Sequence, residues 1–303
     1  EPFLAEARAA LATYADLWGP AGAGSLGIFE QVCREGWSYN WAANGLIVFD
    51  RWALGGEVPV GKLAHEVGHL WWGQLVEGRG YGELVLIEGL TEYASWRHLE
   101  TRDPELLRTT LARARDRRRG LLDDGHDAAL REISFRSDGY QDLAYCKAPL
   151  VFRWLEHAVG RDAMDAGLAR YAAEYGDATA TLDDLLDALG VARPGAPGTG
   201  RLLAPWFEGS GDVEVRLGDV RWTADGPDFS GPGTLELTLE TTLHGGADDG
   251  FLSLSVPVRV VDQQGGIHER ELLLARAGSM TLPVAPAAVW LDPDGVLPLP
   301  GRG

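Results

Sequence analysis

The pair His65 and His69, followed after eighteen intervening residues by Glu88, constrains the fold of this 303-residue chain more than any other feature. Positions i and i+4 of a helix lie one above the other on one face. A helix through Leu63-Ala64-His65-Glu66-Val67-Gly68-His69-Leu70 therefore aims both imidazoles the same way. Glu88 opens a second helical pattern, Ile87-Glu88-Gly89-Leu90-Thr91-Glu92-Tyr93, close enough in sequence for its helix to pack beside the first. Two histidines and one glutamate are a standard set for catalytic zinc, which takes three protein ligands and keeps a fourth position open. The His-Glu-x-x-His pattern alone is short, and it also fits a helix whose histidines make ordinary hydrogen bonds. The carboxylate that follows completes a ligand set.

Hydrophobic spacing divides the chain into a helical part and a strand part. Residues 3–18 carry apolar positions at helical spacing and stop at Gly19-Pro20. Leu26-Gly27-Ile28-Phe29 and Leu46-Ile47-Val48-Phe49 are short apolar runs between turn residues, so 25–50 reads as extended. Helical patterns then cover 60–76, 88–100, 104–122, 142–158, 161–175 and 181–189, the last with Thr181 as its cap. A Pro/Gly stretch over 192–200 and a short apolar segment from Leu202 to Phe207 follow. From about 212 the period changes to two, in Leu235-Glu236-Leu237-Thr238-Leu239 and Leu252-Ser253-Leu254-Ser255-Val256. Val258-Arg259-Val260-Val261 and Glu271-Leu272-Leu273-Leu274 read as further strands, the pattern of a small antiparallel β-sandwich. The boundaries this gives are 1–211 and 212–303.

The apolar fraction of 45% suffices for a sizeable core. A net charge of −18 repels nucleic acid and anionic lipid headgroups, which argues against both as partners. No apolar run approaches the roughly 20 residues that span a bilayer, so no membrane contact is expected from this chain itself. Cys33 and Cys146 are far apart and read as free thiols in a reducing, cytoplasmic setting, although a parent protein could be exported or membrane-attached. Lysine occurs only at Lys62 and Lys147, each within three residues of a motif residue.

With the ligand spacing, the Glu-Gly at 88–89 and the bulky Trp71-Trp72-Gly73 after the second histidine, the sequence resembles the gluzincin zinc aminopeptidases of the aminopeptidase N and leukotriene-hydrolase type. Tyr145-Cys146-Lys147-Ala148 stands where that family has Tyr-x-Lys-Gly, and Tyr140 where some members have a second tyrosine. Val289-Trp290-Leu291-Asp292-Pro293-Asp294-Gly295 is similar to the end of the family's β-sandwich. The resemblance implies an α+β multidomain fold, with a thermolysin-like, mainly helical zinc-peptidase domain before the sandwich. It implies one Zn2+ per chain and a peptide or small amide substrate. Glu66 then acts as general base on the attacking water, and zinc and the Tyr145 hydroxyl stabilise the oxyanion. Glu92, four residues after Glu88, is placed to orient a ligating histidine. His98, His126, His157, His244 and His268 have no partners at ligand spacing and read as surface or packing residues.

The sequence also departs from the family. About thirty residues before the metal helix, aminopeptidases of this type carry Gly-Ala-Met-Glu-Asn, whose glutamate binds the substrate α-amine. Here the segment is Tyr39-Asn40-Trp41-Ala42-Ala43-Asn44, with Ala42 in place of the glutamate. An ammonium without an anionic partner is unfavourable in a desolvated site, so N-terminal recognition must be non-standard. Glu30, Glu35 or Asp50 are alternative acids for a true aminopeptidase. The family's N-terminal β-rich and C-terminal helical domains have no counterpart here, so the expected cleft is more open unless missing domains or a partner chain cover it. An alternative from another class is a catalytically weak, zinc-stabilised binding or scaffolding module of a larger protein.

Overall fold

The computed structural model describes residues 2–22, 25–32, 40–43, 45–50, 57–191, 206–226, 231–244, 255–273 and 278–293. Cys33, Glu35, Tyr39, Asn44, the Pro/Gly stretch, Leu252-Ser253-Leu254 and Asp294-Gly295 lie outside them. Helix α1 (Pro2–Trp18) leads into a small sheet of β1 (Gly27–Gln31), β2 (Trp41–Ala43) and β3 (Leu46–Asp50), ordered β1-β3-β2. β1 runs parallel to β3 and β2 antiparallel to it. Helices α2 (Val60–Gly68), α3 (Leu90–Arg102), α4 (Pro104–Asp123), α5 (Ala148–Val159), α6 (Arg161–Tyr175) and α7 (Leu182–Ala188) make up the helical part. Among the described residues no helix is long and apolar enough to cross a membrane.

The helix positions follow the spacing, but three boundaries are corrected. The pattern at 60–76 predicts one helix; α2 instead stops at Gly68. The chain tightens there into i→i+3 bonds, Leu70 N to Val67 O at 3.1 Å and Trp71 N to Gly68 O at 3.0 Å, and turns at Gly73, whose φ of +106° suits only glycine. Strand β4 (Val76–Gly78) follows and pairs in parallel with β5 (Ala178–Ala180), a pairing no local pattern signals. Glu88 does not open a regular helix either: it lies in a π-helical turn, Val85–Gly89, that runs into α3. The predicted helix at 142–158 is likewise split into one turn at Tyr140–Asp142, a π-helical turn Leu143–Lys147 and α5. Such single π-turns are rare and concentrate at functional sites. The helices expected at 104–122, 161–175 and 181–189 are present, the last with its Thr181 cap, whose hydroxyl accepts from Asp184 N as Asp184 accepts from Thr181 N.

Packing fixes α2 from both sides. Tyr14 of α1 is fully buried, donates to Ala64 O at 3.0 Å and packs edge-on to Trp71. On the other side Gly68 lets α3 come close, since a Cβ there would stand 3.2 Å from Thr91 Cγ2. The histidine-bearing helix is thus clamped by apolar burial, with Leu63, Ala64 and Val67 fully buried.

The strand part contains β6 (Asp212–Ala224), β7 (Gly233–His244), β8 (Ser255–Asp262), β9 (Ile267–Leu273), β10 (Gly278–Leu282) and β11 (Pro286–Leu291). They form two three-stranded antiparallel sheets, β10-β7-β6 and β11-β8-β9. Val256, Val258 and Val260 alternate inward on β8 and join Leu235, Leu237 and Leu282 in one apolar core. Where this part leaves the helices, Arg118 and Asp212 form an ion pair at 2.7 Å, both side chains fully buried. Beside it Asp127 accepts from Gly211 N at 2.6 Å and from Lys147 Nζ at 2.9 Å. Burial lowers the Lys147 pKa to about 8, against the attraction of Asp127.

Candidate metal centre

His65, His69 and Glu88 come together, their ligand atoms all within 4.8 Å of one another. Glu88 Oε2 is 3.5 Å from His65 Nε2 and 3.5 Å from His69 Nε2. The two imidazoles are perpendicular, with centroids 4.9 Å apart. Each ring is held through its other nitrogen. His65 Nδ1 lies 2.8 Å from Glu92 Oε2, and His69 Nδ1 lies 3.0 Å from the Trp72 carbonyl. Both partners are acceptors, so each Nδ1 carries the proton and each neutral ring turns its Nε2 lone pair to the common point. Glu88 Oε2 is buried there with no hydrogen-bond partner.

Three lone pairs on one point repel unless a cation sits between them. Tetrahedral zinc with ligands at about 2.0–2.1 Å sets them about 3.4 Å apart, close to the distances found. The residues therefore fit a zinc ion. Without a cation a proton takes its place. Burial opposes a charged His65, but Glu88 and Glu92 outweigh it and take its pKa up to about 10. Burial raises the Glu88 carboxyl, and the two histidines more than reverse this, holding it well below its usual range.

Glu66 and Tyr145 flank this point. Glu66 is buried, its Oε2 has no hydrogen-bond partner, and its pKa is raised by burial against the attraction of His65 and His69. The Tyr145 ring centroid is 5.5 Å from that of His65. Burial, then the Glu88 charge, push its hydroxyl far above the usual value, so it stays a proton donor. His65, Glu66, Glu92 and Tyr145 all line a cavity of about 540 Å3 that runs on past Lys62 to α4.

The structure gathers six of the eight candidate residues and leaves two aside. Tyr140 does not line the cavity; its ring packs against Phe135, centroids 5.8 Å apart. Ala42 lies on the edge strand β2, paired with Ile47, and does not line it either. Glu30 and Asp50 are absent from the lining too. His98, a packing residue as expected, is buried between Glu6 and Thr13. The sequence reading missed the Trp72 carbonyl, which any residue supplies, and Arg113 of α4, which lines the cavity and follows no motif.

Comparisons with known proteins identify the family. Residues 29–198 match the peptidase family M1 domain. "Probable M1 family aminopeptidase 1" of Encephalitozoon cuniculi is 29% identical over 129 residues, which is 38% of this chain and 14% of that protein. Human "Aminopeptidase B" is 30% identical over 136 residues, 41% of this chain and 21% of that protein. The chain thus matches about a seventh to a fifth of the length of these relatives. In fold it is similar to Legionella pneumophila aminopeptidase A, solved in complex with aspartic acid, with a TM-score of 0.68 and 17% identity, over 99% of this chain and 34% of that one. The family match spans more than half of the sequence and contains the whole ligand triad, and the chain belongs to the M1 peptidases, a family of zinc-dependent metallopeptidases.

Proposed function

We propose that this chain hydrolyses peptide or small amide bonds, with His65, His69 and Glu88 holding one zinc ion, Glu66 as general base and Tyr145 as oxyanion donor. The observation that carries the reading is the convergence of three ligand atoms beside an unpartnered Glu66 oxygen. Bound zinc supplies Lewis acidity and a lowered pKa for the attacking water. Glu66 takes the proton that water gives up and delivers it to the leaving amine, so it ends the cycle unchanged. The Tyr145 hydroxyl donates to the carbonyl oxygen as that atom gains negative charge. Glu92 and the Trp72 carbonyl keep the two imidazoles in the ligating tautomer. A site kept only to hold the fold needs neither Glu66 nor Tyr145, which weighs against a scaffolding role.

Recognition of the substrate amine is non-standard in this reading, because Ala42 offers no charge. We assign residues 1–211 to a thermolysin-like catalytic unit and 212–303 to a β-sandwich, with a cleft that is open unless further domains or a partner cover it. The test compares an aminoacyl amide carrying a free amine with its N-acetylated twin, on wild type and Glu66→Gln, with zinc measured in each. Hydrolysis of both amides, lost in Glu66→Gln with zinc retained, is the expected result. Strict dependence on the free amine would point to an aminopeptidase using another acid. No hydrolysis of either would overturn the reading.

A further inference from the structure

The cavity beside the metal centre holds two cations, Lys62 and Arg113, along with the carboxylates Glu66 and Glu92. Acidic residues outnumber basic ones 45 to 27, and helical arginines such as Arg97, Arg102, Arg118 and Arg153 are each paired with an acid. Lys62, in the first turn of α2, and Arg113, in α4, both line the cavity, and among the described residues neither has an ion-pair partner. The start of α2 adds to the positive potential, since Pro59 gives no side-chain cap and the first turn holds no acid. Val58, Val60, Leu99 and Leu106 supply apolar wall to the same cavity, and Lys62 lies one helical turn before Glu66. Lys62 precedes His65 and Glu66 by about 5 Å along the helix axis, so an anion held there is within one or two extended residues of the reacting bond.

We infer that Lys62 and Arg113 bind a carboxylate of the substrate, and that the substrates are amides bearing an acidic group one or two residues from the cleaved bond. This rests on the hydrolase reading above. The carboxylate is either an acidic side chain or the C-terminus of a short peptide, both of which offer two oxygens to the cations. Anchoring by an acid also gives the substrate a fixed charged end where Ala42 leaves its amine without a partner.

The test uses the zinc-loaded chain and four peptides on one scaffold, with glutamate or glutamine beside the cleaved bond and a C-terminal carboxylate or carboxamide. At least one acid form should exceed its amide twin by about tenfold in kcat/KM, and which one wins identifies the source. The advantage should shrink as salt shortens the Debye length, and Lys62→Met with Arg113→Met should bring the acid-to-amide ratio of kcat/KM down to about one. Acid and amide twins of equal kcat/KM, or a double variant that slows both alike, would overturn the inference. Calorimetry with glutarate and glutaramide separates this from the hydrolase reading. Glutarate binding that needs Lys62 and Arg113, without hydrolysis of any peptide, keeps the carboxylate site and sinks the hydrolase. Hydrolysis with no acid preference does the reverse.

Discussion

At the scale of single residues, the proposed centre rests on committing one nitrogen of each histidine so that the other is free. His65 gives Nδ1 to Glu92 and His69 gives Nδ1 to the Trp72 carbonyl. Only the first of these is open to mutation. Glu92→Ala should weaken zinc affinity by about 10–100-fold while the chain stays folded, as read by competition with a chelator. Unchanged affinity would show that the 2.8 Å contact does not set the ring. Tyr145→Phe should cost on the order of 10²–10³ in kcat with zinc retained, because it removes a donor from the developing oxyanion. That His65 and His69 share a face beside Glu66 was legible because helical spacing is local information, and Glu88 joins them from the next helical segment. Glu92 was legible for the same reason, four residues after Glu88. The Trp72 carbonyl was not, since backbone acceptors carry no residue signature.

At the scale of elements, the two residues that complete the site, Glu88 and Tyr145, both sit in π-helical turns rather than in regular helix. These turns face each other through Gly89, where a Cβ would stand 2.8 Å from Ala148 Cβ. Gly89→Ala should therefore destabilise the fold by about 1–3 kcal/mol and lower zinc affinity by pushing the Glu88 turn away. Ala148→Gly, which clears the space, should restore much of both, and a double-mutant cycle in denaturant reads the coupling. Helical spacing predicts where these helices lie but not their π-turns, because one extra residue in a turn leaves the apolar pattern nearly intact. The split at 142–158 has that origin, whereas α2 stops at Gly68 because the chain tightens into i→i+3 bonds before the turn at Gly73. The β4–β5 pairing was invisible because its partners are about a hundred residues apart in sequence.

Helices α1 and α3 are tied by Glu6, which accepts from Arg102 and sits 3.0 Å from His98 Nε2. Burial works to raise its pKa, but the hydrogen bonds of Arg102 and His98 outweigh this and hold it below the usual 4.5. A carboxyl with a depressed folded pKa stabilises above its unfolded value and loses that contribution as pH falls through the folded one. The Tm gap between wild type and Glu6→Gln should therefore be full at neutral pH and close as pH drops below about 4.5. A gap that stays constant would mean that the ion pairs contribute nothing.

At the scale of the whole molecule, the helical and strand parts meet at a buried charge cluster made by Arg118, Asp212, Asp127 and Lys147. Breaking a buried pair from one side leaves an uncompensated charge, so Arg118→Met should destabilise by about 3–5 kcal/mol and lower Tm sharply. Arg118 and Asp212 are 94 positions apart, and only the period change near 212 hinted at a junction there. Zinc should act on global stability as well, because the triad exists only in the folded chain. At a free concentration a hundred times its Kd, the ion should add about 2.7 kcal/mol, seen as a rise in Tm that a chelator reverses.

The most direct test is a crystal of the zinc-loaded chain measured across the zinc absorption edge. One anomalous peak bonded to His65 Nε2, His69 Nε2 and Glu88 Oε2, with the fourth side open toward Glu66, is the expected result. A peak elsewhere, or one that leaves Glu88 unbound, would contradict the account.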